Sequence, residues 1–137
     1  MIRRQSESGY LETVASLVAA IERRSLTLFA RIDHAAGARD VGMELADEQV
    51  LVFGNARSGT PLMQSDPHVG LDLPLRILIS RELDGVWIGY HDPRELSDTY
   101  GIRRHQPILE NMAGLLDELA SEAAARPGGP RGQSESL

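Results

Sequence analysis

Two runs of alternating side chains, Leu75–Arg81 and Val86–His91, are joined by Glu82–Gly85, and the join ends in Asp84-Gly85. Period-two alternation marks strands with two distinct faces, and Asp-Gly between such runs marks a tight hairpin. This feature commits the chain to an antiparallel sheet. It also sets a problem. One face carries Leu75, Ile77 and Ile79 with Val86, Ile88 and Tyr90; the other carries Arg76, Leu78 and Ser80 with Trp87, Gly89 and His91. The first face needs helices over it. The second, joined by Phe29, holds three large apolar side chains where water is expected, and burying each is worth about 1.5–3 kcal/mol. A second copy is the simplest cover, so the sequence predicts a homodimer with Trp87 at or near its centre and Arg31 and Arg76 on the rim.

The rest of the chain supplies the cover for the first face. Tyr10, Val14, Leu17, Val18 and Ile21 recur at helical spacing, with Arg23-Arg24 placed for the helix C-terminal dipole. A second, longer stripe runs through Ile108, Leu109, Met112, Leu115, Leu116, Leu119 and Ala123. Leu26–His34 alternates as a strand, with Leu28, Ile32 and His34 on one face and Phe29 and Arg31 on the other. Ala35–Asp40 reads as a turn or short helical turn. Gly42–Leu45 and Val50–Phe53 read as a hairpin across Ala46-Asp47-Glu48. Pro61–Ser65 is at most a turn and a half of helix because Pro67 stops it. His68–Pro74 is a loop, and Asp92-Pro93-Arg94-Glu95 is a capping box opening a short helix that stops at Gly101. The fold class expected is α+β: a single two-layer domain, a mostly antiparallel sheet with helices packed on one face. Its core is expected at Leu17, Val18, Ile21, Leu28, Ile32, Val52, Ile77, Ile88, Leu116 and Leu119. Residues 1–8 are a polar segment that either forms an edge strand or frays, residues 9–125 are the domain, and residues 126–137 are a linker-like tail expected to be disordered.

Composition narrows the chemistry. The net charge of −6 and the lack of any basic run longer than an Arg doublet argue against nucleic acid. All fourteen basic residues are Arg, so Schiff-base catalysis and a Lys base are excluded. The absence of cysteine removes disulfides, thiolate nucleophiles and sulfur-rich metal sites. It also fits a reducing compartment. The start MIRRQSESGY has no apolar run after its basic pair, and no stretch approaches 18 consecutive apolar residues, so a cytoplasmic domain outside any membrane is expected.

The stretch Val50–Met63, VLVFGNARSGTPLM, reads as a buried strand, a glycine-bounded turn and a helix start at Thr60-Pro61. Such a turn gathers backbone N–H groups around a small concavity suited to an anion or carboxylate. The same glycines are equally well read as a tight turn with Thr60 capping the helix. The spacing Gly54 to Gly59 imitates a nucleoside-triphosphate loop, but Thr60-Pro61 stands where Lys and Ser/Thr are required. His34, at the end of its strand, suits a general base or metal ligand. A core histidine bonded to backbone is the commoner case. His68, His91 and His105 show no ligand spacing, and no G-x-S-x-G elbow exists. No metal and no cofactor are implied.

Four segments in order carry a resemblance: Arg31–Ala38 (RIDHAAGA), Leu51–Asn55 with Gly59–Met63, Gly70–Leu75 (GLDLPL), and Trp87–Pro93 (WIGYHDP). Together the chain resembles the domain of unknown function 302 family over roughly residues 8–125. That family is a small α+β domain of bacteria and archaea with no assigned activity, so the resemblance implies a fold and no function. The family usually has Asn where His91 stands here, and the first segment lacks the apolar strand that commonly precedes the first helix. Read as a site, the family motifs gather His34, Asn55, Gly59, Thr60, Met63 and Tyr90. The function expected is binding of a small molecule or anion at the Gly54–Met63 turn, with Asn55, Gly59, Thr60, Met63 and Tyr90 as ligand-binding residues. The alternatives are a weak acid–base enzyme with His34 as catalytic base and the turn as oxyanion site, or a non-catalytic oligomeric interaction domain.

Overall fold

The computed structural model describes residues 1–126; the tail expected at 126–137 lies, beyond Arg126, outside the described residues. Five strands form one sheet in the order β1-β5-β4-β3-β2, with every neighbouring pair antiparallel. Their ranges are β1 Ile2–Gln5, β2 Thr27–Asp33, β3 Glu48–Gly54, β4 Leu75–Glu82 and β5 Gly85–Tyr90. The polar N-terminal segment is therefore an edge strand. It pairs with β5 from Ile2 opposite Tyr90 to Gln5 opposite Trp87.

Helices α1 (Tyr10–Arg23) and α5 (Gln106–Ala124) cover the inner face of the sheet. Between them lie α2 (His34–Asp40), α3 (Ala56–Ser65) and the one-turn α4 (Leu96–Thr99). Leu17, Ile21, Leu51, Phe53, Ile77, Ile79, Ile88, Leu109, Leu116 and Leu119 are fully buried between the layers. Arg23 and Arg24 at the end of α1 both bond the Glu122 carboxylate of α5 and tie the two helices together. Burial tends to raise the Glu122 carboxyl, but the two guanidiniums outweigh it and hold it below the usual carboxylate range. The chain leaves α1 through Ser25 at φ +56, with Ser25 N–H donating to Glu22 and Leu26 N–H to Ile21. That is the paired closure of a Schellman motif, with serine where glycine is usual.

The first and last segments also meet. Glu7 N–H donates to the Ala124 carbonyl, Ser8 Oγ donates to the Ala125 carbonyl, and Arg4 pairs with Asp117.

Leu75, Ile77 and Ile79 with Val86, Ile88 and Tyr90 occupy the inner face, as their alternation predicts. β2 differs. Leu28 sits opposite Phe53 but Ala30 sits opposite Val52, so Phe29 is an extra, bulged residue. One inserted residue reverses the alternation beyond it. Ile32, expected in the core, is 47% exposed on the outer face beside Val50. Arg31, expected on the outer rim, lies on the inner side, where its Nε donates to Gln49 Oε1 at 3.3 Å. Gln49, itself buried, donates through Nε2 to the Tyr10 hydroxyl at 3.2 Å. Val52 is half-buried on the outer face, and Val18 and Leu28 are half-buried against the core. No strand forms at Gly42–Leu45, so the hairpin expected there does not exist; β3 pairs instead with β2 and β4. A 3-10 helix, Pro67–Asp72, takes up most of the segment His68–Pro74 read as loop.

Candidate functional site

The stretch after β3 is helix where an open turn was expected. Asn55 is extended at φ −140 and ψ 119, and its Oδ1 accepts the Arg57 N–H at 2.8 Å. Its carbonyl accepts from Ser58 and Gly59, each at 3.0 Å. Asn55 is thus the N-cap, and α3 starts four residues before Thr60. Asparagine is among the strongest N-cap residues, and that preference overrides the turn reading of the two glycines. Pro61 is carried inside the helix. One consequence is chemical. The N–H groups of Arg57, Ser58 and Gly59 already have acceptors, so the cradle of free donors read from the sequence is closed.

What the helix builds instead is the wall of a cavity of about 420 Å³ between α3, α5 and the end of the sheet. Asn55, Gly59, Thr60 and Met63 line it from α3. Phe29, bulged out of β2, lines it from the sheet, and Leu73, Pro74 and Leu75 line it from the start of β4. Asn111, Met112 and Leu115 close it from α5. Gly54 also lines it and is closely packed: a Cβ there would stand 3.2 Å from Pro74 Cβ and 3.7 Å from Phe29 Cε2. Gly59 is not crowded, since a Cβ would meet only Leu73 Cδ1 and Met63 Cε, both at 3.8 Å. The lining is apolar apart from Asn55, Ser58, Thr60 and Asn111, and it contains no charged side chain. Sequence reasoning missed Asn111, Met112 and Leu115 because the α5 stripe reads as core. The available signal was Asn111 itself, a polar residue three after Ile108 and four before Leu115, on the border of the apolar face.

His34 and Tyr90 lie elsewhere. Both line a second cavity of about 530 Å³, with Asp72, Arg76, His91, Asp92 and Glu95. His34 is the first residue of α2 and is exposed, so it is not the core histidine that base rates favour. Asp33 before it caps α2 by accepting the Ala36 N–H at 2.9 Å. Tyr90 is buried, and that burial, reinforced by the Asp117 carboxylate, pushes its phenol up and keeps it protonated. Asp92 accepts the backbone N–H and the guanidinium of Arg94, which hold its carboxyl below the usual range. The six residues gathered from the sequence therefore divide between two cavities, four in the first and two in the second. A His34 base and a Gly59-Thr60 oxyanion site do not share one space. Among the described residues no three His, Asp or Glu side chains come together as metal ligands.

Known proteins share this sequence and this fold. The family model described as Domain of unknown function DUF302 matches residues 2–119. The chain is 34% identical over 99 residues to proteins named Fluoride-specific ion channel FluC 1 from Brucella suis biovar 1 (strain 1330) and from Brucella abortus biovar 1 (strain 9-941). It matches Fluoride-specific ion channel FluC 2 from Brucella melitensis biotype 1 equally well. Each match covers 72% of this chain but only 37% to 39% of the relative, so the chain spans less than two fifths of their length. No helix among the described residues is long and apolar enough to cross a membrane. The crystal structure of an uncharacterized conserved protein DUF302 from Bacillus stearothermophilus superposes with a TM-score of 0.79. It is 15% identical and the superposition covers 89% of this chain and 96% of that one, a likeness of fold alone.

Proposed function

The chain belongs to the family described as Domain of unknown function DUF302, and on that footing we propose that it binds a small, largely apolar molecule in the cavity beside α3. One observation carries the reading: the bulged Phe29, Met63 and Met112 form an apolar lining, while Asn55, Thr60 and Asn111 supply uncharged polar groups. A volume of about 420 Å³ suits a small organic ligand. The anionic ligand considered from the sequence is less well supported, because the cavity has no guanidinium and the first-turn N–H groups are already bonded. Gly59 and Thr60 contribute as helix surface and not as a turn.

The test uses the room at Gly59. Gly59→Leu puts a side chain into the cavity, and Leu in a helix interior is favoured over Gly by roughly 1 kcal/mol. A thermal-shift screen of small apolar alcohols, amides and aromatics should find compounds that raise the melting temperature of the wild type. The same compounds should lose their effect on Gly59→Leu and keep it on His34→Ala. Ligands that still stabilise Gly59→Leu but not His34→Ala overturn the reading in favour of the second cavity.

The Brucella relatives favour a second reading, compatible with the first. Their names denote ion channels, and a pore built of helices needs segments of a kind absent from the described residues here. We infer that the segment shared with this chain accompanies the pore of those proteins. Removing it from one of them should leave fluoride flux through reconstituted vesicles intact; abolished flux in a correctly inserted channel contradicts this.

A further inference from the structure

We propose that the outer face of the sheet is where two copies of this chain meet, about a twofold axis running across the strands through Val50 and Leu78. The strand register sets out the face. Ile32 of β2, Val50 of β3, Leu78 of β4 and Gly89 of β5 are successive partners in one row. The row continues as apolar surface at Gly89, where a Cβ would be 2.9 Å from Met1 Sδ: the thioether lies directly on the glycine. Two residues along the strands, Val52 and Ala30 add to the row on one side. α1 and α5 pack on the opposite face, and on this one Ile32, Val50, Val52, Leu78 and Gly89 form a wall of the second cavity.

The charges on the face pick out the axis. Glu48 lies two residues from Val50 on β3, and Arg76 lies two residues from Leu78 on β4. Because β3 and β4 are antiparallel, these two side chains stand on opposite sides of the apolar row, each about 7 Å from it. A twofold axis across the strands lays the row on its own copy and sets each Glu48 opposite the partner's Val52, one strand spacing of about 4.8 Å to the side of the partner's Arg76. An axis parallel to the strands sets Glu48 opposite the partner's Ser80 instead and brings the two Glu48 carboxylates within one strand of each other. Arg76 is about half exposed and has one ion-pair partner, Asp72 at 3.9 Å. Glu48 makes no ion pair among the described residues.

Trp87, the centre expected from the sequence, does not have this freedom. The Arg3 guanidinium stands 4.3 Å over its ring and continues to Glu82 at 2.6 Å, while the indole N–H donates to Asp84 at 2.8 Å. It forms the border of the contact on the β1 side. Five strands about 4.8 Å apart and about 20 Å long offer roughly 500 Å² in projection per copy. The two copies together reach the roughly 1,000 Å² that a specific interface requires. Facing sheets of this kind stack about 10 Å apart with their strands nearly aligned.

Sedimentation of the full chain decides it. The wild type should run as a dimer at tens of micromolar, and Leu78→Glu should weaken it by about a hundredfold. Glu48→Arg and Arg76→Glu should each weaken it by about tenfold, and the two together should restore it, because the exchanged charges are again neighbours of opposite sign across the contact. Far-UV circular dichroism checks each variant. If Leu78→Glu does not fold, the two exposed charge variants and their combination carry the test alone. A wild type that stays monomeric, or a double variant as weak as the singles, overturns the proposal.

Discussion

The two faces of the sheet are built from nearly the same side chains and meet opposite fates. Leu51, Phe53, Ile77, Ile79 and Ile88 are fully buried beneath α1 and α5. Their immediate neighbours Val50, Val52 and Leu78 point the other way and remain half-buried, with Ile32 nearly half exposed. A strand presents alternate residues to two independent environments, so an apolar residue states a preference for burial without naming its cover. Both long helices among the described residues lie on one face. The difference teaches that the same apolar pattern ends fully buried or half-buried according to which face the helices take.

Four measurements break or sharpen that contrast. The largest effect belongs to the closed face: Ile77→Ala should cost about 2–5 kcal/mol in urea unfolding, through lost burial and the cavity left behind. A loss under 1 kcal/mol there would mean the inner layer is loosely packed. Next comes the point where β3 leaves the sheet: Asn55→Ala removes the α3 cap and should cost about 1 kcal/mol. Smaller is the clamp between the covering helices. With its folded pKa held below the ordinary 4.5, ionised Glu122 adds stability above that pH and loses it as pH falls through the lowered value. Glu122→Gln should therefore be about 0.5–1 kcal/mol less stable at neutral pH, with Arg23 half exposed to solvent. The gap should close under acid. The smallest effect belongs to the open face: Ile32→Thr, measured on dilute monomer, should shift stability by about 0.5 kcal/mol or less. A cost rivalling that of Ile77→Ala would show that the chain closes this face on its own.

The sequence was most legible where one local pattern acted alone. The β4–β5 hairpin follows from alternation and Asp84-Gly85, and Gly85 takes φ +134 at its end. The stripes of α1 and α5 gave both covering helices. The Asp92 cap forms, with its carboxylate on the Arg94 N–H at 3.0 Å. Misreadings arose where two local signals competed. At Gly54–Thr60 the glycines signalled a turn and Asn55 signalled a cap, and the helix won because each hydrogen bond it adds supports the next. At β2 no residue type announces that Phe29 is inserted, so a regular alternation misplaced Arg31 and Ile32 together. The candidate site divided for a third reason. His34 and Tyr90 belong to the first and last of the four motifs, and the sheet directs them into a different cavity from that of α3.

The seam between residues 7–8 and 124–125 joins the turn after β1 to the end of α5. An edge strand of four residues has little hold of its own, so fraying the last turn of α5 would also release β1 and bare a row of backbone donors and acceptors on β5.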